Sequence, residues 1–274
     1  MKDITITKDN NTTHRLINRD FLDIEDLQSD MVLTDLPYGT TNAKWDSVVD
    51  LEAMWKWLSI IRKPTTPVLL FAQSPFDKVL GCSNIKELKY EWIWEKTAAT
   101  GHLNAKKMPM KAHENVLTFL GEGVLHENIL MFYNKLPPYN PQKTTGHKPA
   151  NTYTKHTSDG ELYGKTKIGV SGGKQTDRYP RDVLKFPSDK QKLNIHSTQK
   201  PIELLRYMIR TYTNVGDTVL DFTAGSFSVA VAAYLEGRHS ICIEMNSVQF
   251  EKSVSWVKGC SVANVYNLQE EKPS

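Results

Sequence analysis

Cysteine is scarce in this chain. Cys82, Cys242 and Cys260 lie far apart, and none stands at metal-ligand spacing from another. That excludes a disulfide framework and argues against any metal site built on them, so reduced thiols in a cytosolic setting are expected. Long apolar runs are also missing: no stretch approaches the ~20 residues of a membrane helix. The opening residues MKDITITKDN lack the apolar core of a secretion signal, which sets an expectation against export. There is no fixed-period repeat and no low-complexity tract. Glycine is thin where a dinucleotide site would need it. The turn Ala224-Gly225-Ser226-Phe227 carries one glycine instead of a full G-x-G-x-x-G, which disfavours a nicotinamide oxidoreductase.

What is present describes a globular α/β chain. Its 274 residues are 39% hydrophobic and 24% charged, enough for one large domain or a core with an inserted lobe. The formal charge of +3 hides an asymmetry. Residues 135–200 hold 13 Lys+Arg against 5 Asp+Glu, a net of +8, which leaves −5 for the rest. Concentrated positive charge is the footprint of a polyanion contact, with a solvated loop as the alternative.

The apolar pattern has βαβ rhythm at both ends. Leu51, Met54, Trp55, Leu58 and Ile61 share a helical face, and Pro64 and Pro67 end that helix before the buried strand Val68-Leu69-Leu70-Phe71. Trp92-Ile93-Trp94 and Val116-Leu117-Thr118-Phe119 are further strands. From about Asn134 to Ile195 the rhythm stops in favour of Pro, Gly, Thr, Lys and Tyr, a length usually reserved for function or disorder. Tyr139, Tyr153, Tyr163 and Tyr179 stand among its lysines, a mixture suited to bases and phosphates. Order returns at Pro201, with Leu204, Leu205, Met208, Ile209 and Tyr212 on one helix face.

Two segments carry chemistry. The run Met31-Val32-Leu33-Thr34 ends in Asp35-Leu36-Pro37-Tyr38, which puts a carboxylate, a stiff proline and a flat ring at a strand terminus. A planar ring bearing an amino group fits between Asp35 and Tyr38. The second segment is a strand (Thr218 to Asp221), a small-residue turn (Phe222 to Ser226), an Ala-rich helix ended by Gly237, and a strand that stops at Glu244. Small residues admit a ligand to the backbone. An acid about twenty residues past the turn can hold ribose hydroxyls. This reads as a nucleoside pocket.

On these residues the chain resembles the β-order amino DNA methyltransferases, the phage and prophage DNA methylases in particular. Asp35-Leu36-Pro37-Tyr38 matches their Asp-Pro-Pro-Tyr, and Asp221-Phe222-Thr223-Ala224-Gly225-Ser226 their cofactor loop. His196-Ser197-Thr198-Gln199-Lys200-Pro201 matches their His-x-Thr-Gln-Lys-Pro, while His113-Glu114-Asn115 and Asn18-Arg19-Asp20 also fit.

The resemblance implies a Rossmann-like S-adenosylmethionine-dependent fold with a mostly parallel, doubly wound sheet. It divides the chain into a catalytic half (1–133), a basic target-recognition insertion (134–195) and a cofactor-binding half (196–274). The implied reaction moves a methyl group from S-adenosylmethionine to adenine N6 of a flipped base in DNA, with S-adenosylhomocysteine as the other product. Cytosine N4 stays open, as does a silent DNA-binding protein on the same fold.

In that scheme Asp35 polarises the amino group, the Leu36-Pro37 backbone assists and Tyr38 stacks on the base. Glu244 takes the ribose, and the backbone of Phe222, Thr223, Gly225 and Ser226 the methionine part, with Asp221 and Asp35 beside it. His196, Thr198 and Lys200 approach the carboxylate end, and Asp20 and Phe21 the adenine. The expected setting is the cytoplasm of a bacterium or phage-infected host. A homodimer and a cognate restriction endonuclease are the protein partners the resemblance leaves open. Two departures stand out: Leu36 replaces a proline, and Phe227 stands where glycine is common, which is costly if φ is positive there.

Overall fold

The buried strand Met31–Asp35 explains the architecture, because it is apolar on both faces and must be covered twice. In this computed structural model, which describes residues 2–39, 47–100, 106–107, 109–119, 137–154, 169, 171–187 and 199–261, it lies at the centre of a nine-stranded sheet. In chain order the strands are β1 (Lys2–Thr7), β2 (Thr13–Asn18), β3 (Met31–Asp35), β4 (Val68–Ala72), β5 (Leu88–Thr100), β6 (Lys111–Phe119), β7 (Tyr153–Thr154), β8 (Ser171–Gly172), β9 (Val183–Phe186), β10 (Thr218–Asp221) and β11 (His239–Ile243). The helices are α1 (Leu51–Ile61), α2 (Phe76–Ser83), α3 (Ile202–Tyr212), α4 (Ser228–Leu235) and α5 (Ser247–Gly259).

The main unit comprises residues 1–140 and 182–274. Its sheet runs β1-β2-β11-β10-β3-β4-β6-β5-β9, with β2 through β4 parallel. Side chains alternate between two cores, as strand geometry requires. Met31, Leu33, Leu69 and Phe71 join α3, α4 and α5 on one face. Val32, Leu70 and Ala72 join α1 and α2 on the other. Helix α3 presents the expected face: Leu204, Leu205, Met208, Ile209 and Tyr212 are all buried, each contributing about 1.5–3 kcal/mol of apolar transfer. Helix α1 starts at Asp50, whose carboxylate accepts the Glu52 and Ala53 amides at 3.0 and 3.1 Å, a cap that contributes about 1 kcal/mol. Its buried stripe is Met54, Trp57, Leu58 and Ile61. Trp55 lies on the flank instead, packed on Phe119 and bonded to Ser83.

Two features depart from the expected rhythm. Strand β6 pairs antiparallel with β4, and β5 antiparallel with β6, so one side of the sheet is not βαβ. The basic stretch also contains structure: β9 pairs in parallel with β5. Four residues of alternating exposure are too short to stand out from loop sequence.

A second compact unit, Pro141–Arg181, is held by the β7–β8 pair and a Thr144–Arg178 bridge. Lys143 pairs with Asp177 at 2.9 Å and lies 4.3 Å from the centre of the Tyr179 ring. Gly173 is required there: at φ +120 a Cβ would fall 2.5 Å from the Asn151 carbonyl.

Candidate active site

The strand order reverses between β3 and β10, since the chain leaves β3 toward β4 and β10 toward β11. Ligands of open α/β sheets bind at the carboxyl ends of such strands. Here those ends are Asp35 and Asp221.

Hydroxyls stitch the two loops together. Thr34 Oγ1 donates to Asp221 Oδ1 at 2.6 Å and lies 2.7 Å from Thr223 Oγ1, which donates to the Asp35 carbonyl at 2.9 Å. Two hydroxyl hydrogens serve three contacts, so the chain closes fully when Asp221 carries a proton. Burial agrees, pushing the Asp221 carboxyl up to about 7 against the pull of Thr34 and the Thr223 amide, with Asp35 and Glu244 pushing in the same direction as burial.

A raised acid binds its proton more tightly folded than unfolded. Apo stability should therefore fall as pH rises from about 4, the unfolded value, to about 7, and then level off. Asp221→Asn, which offers an N–H where the protonated acid offers O–H, should remove that slope. It should stabilise the apo protein by about 4 kcal/mol more at pH 8 than at pH 4. Denaturant titrations at both pH values check this, and equal effects at the two would refute it.

The Asp35 carboxylate is held at both oxygens. Oδ1 accepts the Tyr38 hydroxyl at 2.6 Å, and Oδ2 meets the Lys200 ammonium. Lys200 also lies 3.4 Å from Glu114 Oε2, while Lys96 donates to Glu114 Oε1 at 2.5 Å. Burial opposes the Lys200 charge, but Asp35 and Glu114 outweigh it and hold the ammonium above the usual lysine range. Tyr38 packs on Phe76, ring centres 5.5 Å apart. Leu36, the departure from proline, is buried in the apolar cluster with Phe222 and Ile243, so packing anchors the loop where a second ring would stiffen it.

On the other loop, Glu244 accepts the Gly225 amide at 2.9 Å and the Asn246 amide at 2.7 Å. Burial raises its carboxyl, and those two amides pull it back. The Gly225 carbonyl accepts Ser253 Oγ at 2.7 Å and Gln249 Nε2 at 3.2 Å, both from α5. Phe21 stacks on Phe222 at 4.8 Å, which places the 3-10 turn Phe21–Asp23 beside the cofactor-type turn. Asp20 is exposed and caps that turn. Ser226 is buried with its hydroxyl on Ser228. Phe227 has φ +59, the left-handed angle that costs a non-glycine residue, and it is fully buried against Phe250.

Asp35, Leu36, Tyr38, Lys200, Asp221, Thr223, Gly225 and Glu244 thus gather at the strand ends, while His196 and Thr198 lie outside the described residues. Sequence reasoning left Lys96, Gln249, Ser253 and the Thr34 hydroxyl without roles. Glu114 stands in a sequence motif that by itself assigns it no role.

Fold and site together define a Rossmann-like protein of the methyltransferase type. More narrowly, the chain belongs to the N6/N4 DNA methylase family, whose sequence model, described as DNA methylase, matches residues 29–255. It is similar to DNA adenine methyltransferase YhdJ of Escherichia coli (strain K12), 28% identical over 208 residues that span 70% of this chain and 58% of that protein. The match therefore spans little more than half of the E. coli protein. Type II methyltransferase M1.MboII of Moraxella bovis is 26% identical over 257 residues, 86% of this chain and 92% of that one. Among solved structures, the M1.HpyAVI–SAM complex superimposes with a TM-score of 0.57 at 18% identity, covering 89% of this chain and 99% of the other.

Proposed function

We propose that this protein transfers a methyl group from S-adenosylmethionine to an exocyclic amine of DNA, adenine N6 before cytosine N4. One observation carries the reading. A strand-end carboxylate, Asp35, and a small-residue turn with a following acid, Asp221–Gly225 and Glu244, are tied at neighbouring strand ends by Thr223 on the Asp35 carbonyl. The family, described as DNA methylase, supports the methylase class, and the name of the E. coli relative supports a DNA substrate. Asp rather than Ser at position 35 favours adenine through the motif it matches.

The donor set fits S-adenosylmethionine. Glu244 suits ribose hydroxyls, because each of its oxygens keeps a lone pair after accepting one amide. Asp221 suits an ammonium group, which would draw off the proton that burial places there. Gln199 is buried, and neither of its amide atoms has a hydrogen-bond partner among the described residues, so its NH2 group is a donor suited to a ligand carboxylate. The Phe222–Ser226 backbone offers close approach, and Phe21 an apolar wall. When bound, the cofactor supplies a sulfonium methyl group.

The protein's part is nucleophile preparation. An aromatic amine is a weak nucleophile because its lone pair is delocalised. Asp35 accepts one amino hydrogen and the Leu36-Pro37 backbone carbonyl the other, which favours a pyramidal nitrogen. To reach Asp35 the amino group displaces the Tyr38 hydroxyl, and the Tyr38 ring stacks on the base. Flipping the base out costs a few kcal/mol, and stacking offsets about 1–3 kcal/mol of it. The unit Pro141–Arg181, with 8 Lys+Arg against 3 Asp+Glu and exposed Tyr153 and Tyr179, is the reading head of the 134–195 insertion.

The test is to incubate the purified protein with methyl-labelled S-adenosylmethionine and unmethylated plasmid, then digest the DNA to nucleosides. N6-methyladenine is the expected product. N4-methylcytosine alone would overturn the base assignment. Absence of label together with absent cofactor binding in calorimetry would overturn the reaction.

A further inference from the structure

Four charges alternate in sign across three strands and the lead-in to α3: Asp35 on β3, Lys200, Glu114 on β6 and Lys96 on β5. The sheet register puts them on one face. Glu114 points to the same side as Val116, and its register partner Trp94 has Lys96 two residues further along β5. Phe71 of β4, the register partner of Asp35, forms the floor, 5.1 Å below the Lys200 nitrogen. Lys200, Glu114 and Lys96 are each under 10% exposed at the side chain, against 22% for Asp35, so Asp35 alone reaches toward solvent.

We propose that Glu114, backed by Lys96, is a positioning residue for methyl transfer: it seats Lys200 on Asp35 Oδ2 and so leaves Oδ1 as the oxygen that meets the target amino group. The inference rests on the methyltransferase reading of Asp35. Its physical content is a division of labour within one carboxylate. A carboxylate free to rotate presents its substrate-facing lone pair only part of the time. One clamped by an ammonium at Oδ2 presents Oδ1 in a fixed direction, shared in the resting state with Tyr38. The clamp needs a positive charge inside the protein, and the groups facing it among the described residues are Asp35, Glu114, Lys96 beyond Glu114, and the Tyr38 and Phe71 rings. Removing the charge of Glu114 leaves Asp35 as the one anion facing Lys200 among the described residues, so the Lys200 ammonium becomes easier to deprotonate.

Glu114→Gln tests this in the full-length protein. Its single-turnover methylation rate at saturating cofactor should fall by about 100-fold, the scale of a misplaced reacting group. The rate should also fall away at a lower alkaline pH than in wild type, because Lys200 without its second partner gives up its proton more easily. Adding Lys200→Arg to that variant should flatten the profile again, since guanidinium does not deprotonate. The side-chain NMR titration of Lys200 should move down in Glu114→Gln. If that variant does not fold, Glu114→Asp keeps the charge but withdraws the contact, and a slower rate with a flat profile is expected.

Wild-type rate and profile in either folded variant would overturn the positioning role. An unmoved Lys200 titration would overturn the seat itself. A wild-type protein that methylates no DNA would overturn the methyltransferase reading, and the catalytic half of this inference with it, while the NMR arm would still decide the seat.

Discussion

Asp35→Asn should abolish methyl transfer while leaving the fold and the cofactor site in place. The expected loss in single-turnover rate is about 10³-fold, within the range for removing a positioned base. That corresponds to about 4 kcal/mol of transition-state stabilisation. Asparagine is the sharper choice over alanine. Its amide oxygen can still face Lys200 and its NH2 can meet the Tyr38 hydroxyl, so the buried ammonium keeps a partner and the stability cost stays near 1 kcal/mol. Chemically it inverts the site, because the group facing the target amine becomes a donor. Asp35→Ala should be equally inactive but less stable, since it leaves Lys200 with Glu114 alone. Rate, calorimetric cofactor affinity and thermal midpoint on both variants separate these effects. Asp35→Asn retaining more than roughly a tenth of the wild-type rate would remove Asp35 from the chemistry.

The legible parts of this molecule are those whose signal is local. The buried run ending at Asp35, the periodic face of α3 and the stop at Gly237 are each written in a few consecutive residues, and the structure agrees with each. What stayed illegible depends on pairings that leave no spacing in the chain. Lys200 meets Asp35 across 165 positions and Thr34 meets Asp221 across 187. Pairing direction is equally silent. Trp92-Ile93-Trp94 and Val116–Phe119 read as strands, but a buried apolar run looks the same whether its neighbour is parallel or antiparallel. Trp55 was drawn into the core face because tryptophan is large and apolar. The helix turns Trp57 inward instead, at the i+3 position from Met54. The hydroxyls of Thr34 and Ser253 are small polar groups with no pattern, and they gain meaning only once the strand ends meet.

Phe227 offers the second large effect, and its sign is diagnostic. Phe227 sits at the N-cap of α4 with φ +59 and ψ +29, the left-handed region, and its ring is fully buried against Phe250. Left-handed backbone costs a non-glycine residue about 1–2 kcal/mol. Burying a phenylalanine is worth more: truncating one to alanine costs about 3–5 kcal/mol. Packing therefore wins, which explains why an aromatic residue occupies a position that geometry would assign to glycine. Both Phe227→Ala and Phe227→Gly should be destabilised, by about 3 kcal/mol or more. Their order is the test. In an ordinary helical or extended site glycine is the weaker of the two by about 0.5–1 kcal/mol. Here alanine keeps the strain and glycine releases it, so Phe227→Gly should be the more stable by about 0.5–1 kcal/mol even after its greater unfolded-state freedom is counted. Guanidinium unfolding of the two variants reads the difference, and alanine outlasting glycine would mean the left-handed angle is not imposed on this residue. The consequence reaches the site. Phe227 anchors the turn to α5, the helix whose Ser253 and Gln249 hold the Gly225 carbonyl. Losing the ring frees that turn, so cofactor affinity should drop in both variants even under conditions where each remains folded.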